Sequence, residues 1–208
     1  QIVMGVDPAF TLGRQSAYSA CWVAGVTDTG RRDFLHGWRM RMLPQQLRAK
    51  IVYTFMTFRP DRCYIEANAA QSFLVDEVRQ RLGGLASCVH PVYTLANNPE
   101  DTLEEAVSEC VALIESGQAT FPYQGSEAQE LTEQTFTEIL NFPTGRFTDL
   151  MMSWQIIERG MRKMESLERK STRFAGIAAS IARGRHPGRG GAGITLANLL
   201  GPLKPKNL

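Results

Sequence analysis

The sequence predicts an α/β fold: a mixed central sheet flanked by helices, followed by a basic, flexible C-terminal tail. Three observations predict it. Short apolar runs separated by turn residues come first, as in a strand meander. Stretches of helical period then alternate with further short apolar runs, the pattern of a sheet with helices packed on its faces. From Phe174 onward the chain turns to Ala, Gly and Arg, as in RGRHPGRGGAG, with no sustained period, so little order is expected there.

Residues 2–6 begin the meander, in the stretch IVMGVDPAF, where an apolar run ends on Asp7 and Pro8 biases that acid toward extended backbone. Residues 17–26 (AYSACWVAGV) form a second strand, TDTGR supplies the turn, and residues 33–42 form a third. Pro44 opens a helix in which Leu47, Ile51, Phe55 and Phe58 recur at helical spacing until Arg59 and Pro60 stop it. Residues 63–65 are a short strand running into Glu66. A second helix follows Asn68 and runs to Gly83 and Gly84, with Phe73, Leu74, Val78 and Leu82 on one face. Residues 89–93 make another strand. Leu103, Ala106, Val107, Cys110, Val111 and Ile114 then mark a third helix, which Gly117 ends. Thr120 and Phe121 form an edge strand, Ser126 starts a helix through about Leu140, and a last long helix runs from near Thr148 to about Arg169. The expected division is a domain over residues 1–170 and a basic, Gly-rich, largely disordered tail over 171–208.

Composition agrees with one sizeable domain, since 43% of the 208 residues are hydrophobic and 21% charged. No apolar run approaches the roughly 20 residues of a membrane helix, and no basic-then-apolar leader is visible. The expectation is a soluble intracellular protein without membrane contact. Because Gln1 falls directly in a strand pattern, the chain reads as a piece of a longer polypeptide. Cys21, Cys63, Cys88 and Cys110 include no CxxC pair, and His36, His90 and His186 lack zinc-like spacing, so the cysteines are expected to be reduced packing residues. Trp22, Trp38 and Trp154 lie within apolar patterns and are expected in the core. The net charge of +2 is unevenly spread: residues 159–208 carry 11 Lys and Arg against two acids, a balance of +9 that leaves −7 for the preceding chain. A basic end on an acidic body suggests a polyanionic partner, nucleic acid first, although a solvated tail has the same composition.

Asp7 alone reads equally well as a turn residue or a ligand. Glu66, in CYIEANAAQ, repeats the device of an apolar strand ending on a carboxylate, and Asp149, in NFPTGRFTDLMMSW, opens an apolar helix after a turn. In an α/β sheet, ligands sit beyond the carboxyl ends of strands, where Asp7 and Glu66 point if their strands are adjacent and parallel. A helix N-terminus could bring Asp149 to the same place. Such a cluster repels itself unless cations bind, and magnesium suits an all-oxygen donor set. Two such ions about 4 Å apart could activate a water and steady the leaving oxygen of a phosphodiester.

The succession of GVDPAF, a meander, YIEAN, a helix, NNPEDTLEEAV with ESGQATFP, and NFPTGRFTD resembles the nuclease domain of the phage terminase large subunit over residues 2 to about 165. That resemblance implies a ribonuclease H-like fold. It implies a metal-dependent endonuclease that cuts concatemeric double-stranded viral DNA when packaging into the capsid starts and ends. Asp7, Glu66 and Asp149 would be its catalytic, metal-binding acids, holding Mg2+ or Mn2+, two ions during catalysis. Implied partners are double-stranded DNA, a portal protein, a small terminase subunit and the ATPase motor domain of the full-length polypeptide, in the host cell cytoplasm. No GxxxxGK[ST] phosphate loop occurs here, so no motor activity is expected of this chain. Ala17 and Thr148 stand where many relatives carry acids, which implies one firmly held ion and a second that joins with DNA. Candidate DNA contacts are Arg14 and Arg146 near the acids, and Arg183, Arg185 and Arg189 in the tail.

Two other readings remain: a Holliday-junction-type resolvase of the same fold, and a non-catalytic module docking on DNA or a portal. The chain order Asp, Glu, Asp disfavours a transposase, and Pro8, Ala9 and Phe10 make a poor phosphate loop for an actin-like domain.

Overall fold

The computed structural model describes residues 1–9, 18–68, 72–94 and 102–182, with only the backbone described at 173 and 176–182. Strand β1 (Ile2–Asp7) pairs antiparallel with β2 (Ser19–Val26), which pairs antiparallel with β3 (Arg32–Met40), so the expected meander is present. Helix α1 (Pro44–Phe58) leads into β4 (Arg62–Glu66), and α2 (Ser72–Leu82) leads through a 3-10 helix (Gly83–Cys88) into β5 (Val89–Val92). Then follow α3 (Leu103–Glu115), the short strand β6 (Ala119–Thr120), α4 (Ser126–Leu140) and α5 (Asp149–Ala182). The six strands lie in the order β5-β4-β1-β2-β3-β6, with β4 parallel to β1 and to β5.

Alternation along the strands sends side chains to two separate cores. Met4, Val6, Cys63 and Ile65 face α1 and α2, where Leu47, Ile51, Phe55, Leu74 and Val78 complete a fully buried layer. Val3 and Tyr64 face the opposite way, toward α3, α4 and α5, and pack with Cys110, Ile139, Leu150, Trp154 and Ile157. Within this second layer Phe34 stacks on Phe121 at 4.5 Å and meets Trp154 edge-on at 5.1 Å. Each such ring pair adds about 0.5–1.5 kcal/mol beyond its burial. All three tryptophans are core residues. The cysteines are unpaired thiols; burial pushes Cys21 and Cys63 far up and Cys110 to about 12, which keeps them inert.

Two glycines let α5 lie flush on the sheet. A Cβ on Gly5 would stand 2.3 Å from the Ser153 carbonyl oxygen and 2.6 Å from Ile157, and one on Gly160 would stand 2.3 Å from the Tyr64 ring. Neither distance is tolerable, so the absence of both side chains sets how closely α5 approaches β1 and β4. That approach fixes where the first residue of α5, Asp149, arrives.

Residues Gln1–Met164 form one compact unit, and Glu165–Leu208 form a second. In the second unit, the described residues continue α5 to Ala182, beyond the end expected near Arg169. Residues 170–182, KSTRFAGIAASIA, contain no proline and four alanines, and helix propensity carries the element on where amphipathic period gives no signal. Arg183, Arg185 and Arg189 lie outside the described residues, as do Arg14 and Ala17. No described helix is long and apolar enough to cross a membrane.

Candidate active site

The cluster is built by pleat and register. Val6 of β1 sits beside Ile65 of the parallel β4, so the next residues, Asp7 and Glu66, end adjacent strands at the same level. Strand alternation turns both toward the α5 side of the sheet, with Val3 and Tyr64. Asp149 reaches them from the helix layer on that same side, in the first turn of α5. The structure therefore brings the three acids singled out in the sequence to one edge of the sheet.

Their electrostatics show the crowding. Loss of water around Asp7, then the charges of Glu66 and Asp149 beside it, hold its carboxyl well above the ordinary carboxylate range. Burial likewise raises Asp149, against the pull of the Arg39 guanidinium, a Tyr18 backbone N–H and Arg41. Asp149 is 6% exposed, and its Oδ2 has no hydrogen-bond partner among the described residues. Glu66 is firmly placed: Thr94 Oγ1 donates to its Oε1 at 2.6 Å, and Asn68 Nδ2 donates to the same oxygen at 3.0 Å. Asn68 is itself tied down, because its Oδ1 accepts the Thr94 backbone N–H at 3.0 Å.

A fourth acid, Glu138, lies next to these three and escaped the reading of the sequence. It is buried at the end of α4, and its charge adds to the raising of Asp7. Its Oε2 accepts the Met151 backbone N–H at 2.9 Å, one of the otherwise unpaired donors in the first turn of α5, and its Oε1 accepts Arg39 Nη1 at 2.9 Å. Glu138 thus fastens the start of α5 to α4 and β3. An acid inside a helical pattern (TFTEIL) carries no sign that its neighbours are a strand arginine and a helix end; only the apolar residues around it hinted at burial. Arg146 is exposed, with its guanidinium carbon 5.1 Å from the Phe147 ring.

A divalent cation fits the chemistry of this cluster. The donors are all oxygens, they repel one another when ionised, and a buried carboxylate oxygen of Asp149 is without a partner. Among the described residues, no three acid, His or Cys side chains already stand in closed metal-binding geometry. A cation here would draw the carboxylates together, or use fewer of them with water. A cavity of about 340 Å³ lies elsewhere, along Leu35, His36, Pro122 and Leu131, and none of the acids lines it.

Comparison with known proteins agrees with this architecture. A family model described as the terminase RNaseH-like domain matches residues 4–151, so the fold is ribonuclease H-like, as the resemblance implied. No curated protein sequence matches the chain. Among solved structures, the fowlpox virus Holliday junction resolvase is similar at 13% identity and a TM-score of 0.47, covering 80% of this chain and 99% of the resolvase. The yeast mitochondrial Holliday junction resolvase Ydc2 is similar at 14% identity and a TM-score of 0.45, with 76% and 77% covered. RuvC of Thermus thermophilus is similar at 18% identity and 0.42, with 62% and 89% covered.

Proposed function

We propose that this chain, which belongs to the terminase RNaseH-like domain family, is a divalent-metal-dependent endonuclease that cuts concatemeric double-stranded phage DNA when packaging starts and when the capsid is full. One observation carries the chemistry: Asp7 and Glu66 end adjacent parallel strands at one level, while Asp149 is buried against them with an unpartnered oxygen. A stable fold has no use for such crowding, because each buried, like-charged carboxylate costs free energy unless a cation answers it.

In this reading Asp7, Glu66 and Asp149 hold Mg2+ or Mn2+. Bound there, the ions would supply an activated water and charge relief on the leaving oxygen of a phosphodiester. The remaining work falls to the chain. Thr94 and Asn68 orient Glu66 by holding its Oε1. Glu138 and the close contact at Gly5 hold Asp149 in place. Arg146 and, from the residues not described, Arg14, Arg183, Arg185 and Arg189 would meet DNA phosphates. The portal protein, the small terminase subunit and the ATPase motor domain of the same polypeptide are the partners such a nuclease would work with.

The test is cleavage of linear duplex DNA by the purified chain with magnesium or manganese, beside Asp7→Ala. Metal-dependent cutting that the variant loses while keeping its circular dichroism is expected. A variant that cuts as fast as the parent would refute the site. A strong preference for four-way junctions over linear duplex would replace packaging cleavage with junction resolution.

A further inference from the structure

We propose that Arg41, Arg39 and Arg146, stacked on the rings of Tyr18 and Phe147, form a guanidinium track beside the acid cluster that grips the phosphate backbone of duplex DNA. The proposal rests on the nuclease reading and names the surface by which its substrate is held. Arg41 presents its guanidinium carbon 4.1 Å from the centroid of the Tyr18 ring, and Arg39 lies 4.7 Å from the same ring. Arg39 is also 5.5 Å from the Phe147 ring, which Arg146 approaches at 5.1 Å. The two rings meet edge-to-face at 5.1 Å, so three cations and two aromatics make one continuous patch.

The patch adjoins the acids on two sides. Tyr18 immediately precedes β2, whose Ala20 is the register partner of Asp7, and Phe147 lies two residues before Asp149. Its parts differ in exposure. Arg39, with a side chain only 14% exposed and bonded to Glu138, is the fixed base of the track. Arg41 and Arg146 are exposed, and Arg146 has no ion pair among the described residues. A ring holds a guanidinium by its face, so a phosphate would be met at the N–H edge, the geometry in which a guanidinium binds two oxygens at once. Cations set this close to an acid cluster also offset the repulsion that the cluster would exert on a polyanion. The contact carries no base-edge reading, so it should be indifferent to sequence and sensitive to salt.

The experiment measures binding of a short blunt duplex over a salt series, in the full chain carrying Asp7→Asn so that the DNA is not cut. Adding Arg41→Gln or Arg146→Gln should weaken binding to unrelated sequences alike and flatten the slope of log K against log salt by about 0.9 per arginine. Tyr18→Phe should bind like its parent, and Tyr18→Leu should weaken like Arg41→Gln, since stacking needs the ring and not the hydroxyl. Melting temperatures of the variants verify that they are folded. Unchanged affinity and slope in both arginine variants would overturn the proposal. An equal loss of polyglutamate binding would also overturn it, because the patch would then be an acidic-protein surface. Magnesium-dependent cutting by the parent separates the two readings: cutting with unchanged slopes sinks the track alone, and flattened slopes without cutting sink the nuclease alone.

Discussion

Two acids on α5, Asp149 and Glu158, are buried almost equally, at 6% and 2% exposed, and are treated in opposite ways. Glu158 is fully answered: Arg32 binds it through Nε at 3.0 Å and Nη2 at 2.5 Å, and Trp154 Nε1 donates to it at 2.9 Å. Asp149 faces other carboxylates, keeps one oxygen without a partner among the described residues, and has its proton affinity raised. Burial alone therefore does not mark an acid as structural; the completeness of its partners separates Glu158 from Asp149, the candidate for a working role. The helix holds a finished ion pair at one point and an unfinished site two and a half turns earlier.

The sharpest way to break this contrast is at the unfinished end. Asp7→Asn should lower DNA cleavage by about 10³-fold or more. Its fold should survive, since the change removes repulsion rather than a bond. Gel-based cleavage rates and thermal melts of the same samples read both halves of the statement.

At the finished end the effect should move to stability. Glu158→Ala leaves the largely buried Arg32 and the Trp154 N–H without their acceptor and should cost about 3–5 kcal/mol in urea denaturation. Asp149→Asn should change stability by less than about 1 kcal/mol while losing activity. If the two variants destabilise equally, the contrast is wrong. Gly5→Ala tests how the unfinished end is placed: the added methyl meets the Ser153 carbonyl and should cost about 1–3 kcal/mol by forcing α5 away from β1, with cleavage reduced alongside. Thr94→Ala, which loosens Glu66, should weaken manganese affinity by about 10–100-fold in calorimetry.

The smallest effect is one of pH. In the folded chain without metal, Asp7 and Asp149 keep protons above their ordinary value of 3.8, and Glu138 above 4.5. The folded state then binds more protons than the unfolded one, so the stability these groups contribute is present below the ordinary values and is lost as pH rises through the raised ones. Melting temperature should fall over that window, and magnesium should restore most at its upper end. Asp7→Asn should flatten the curve.

The sequence made Asp7 and Glu66 legible because both end apolar runs, and a strand carries its terminal side chain in a direction set by the pleat. Asp149 was legible as the opening of an amphipathic helix. That α1 packs on a face of the sheet was legible in the stripe of Leu47, Ile51 and Phe55. Glu138, Thr94 and Asn68 were not legible, because their importance lies in partners distant along the chain: Glu138 reaches Arg39 and Met151, and Thr94 reaches Glu66. The closeness of α5 to β1 was equally hidden. A glycine inside a strand signals some close approach, but only the packed structure identifies Ser153 as what approaches Gly5. The setting of Arg39 and Arg41 was not legible either, because the rings of Tyr18 and Phe147 that lie against them come from distant parts of the chain.

The claim that Asp7, Glu66 and Asp149 form one cation site is tested most directly by a crystal soaked in manganese. Anomalous density among the three carboxylates, with Asp149 Oδ2 as a ligand, is the expected result. Manganese bound elsewhere, or absent from the cluster at saturating concentration, would contradict it.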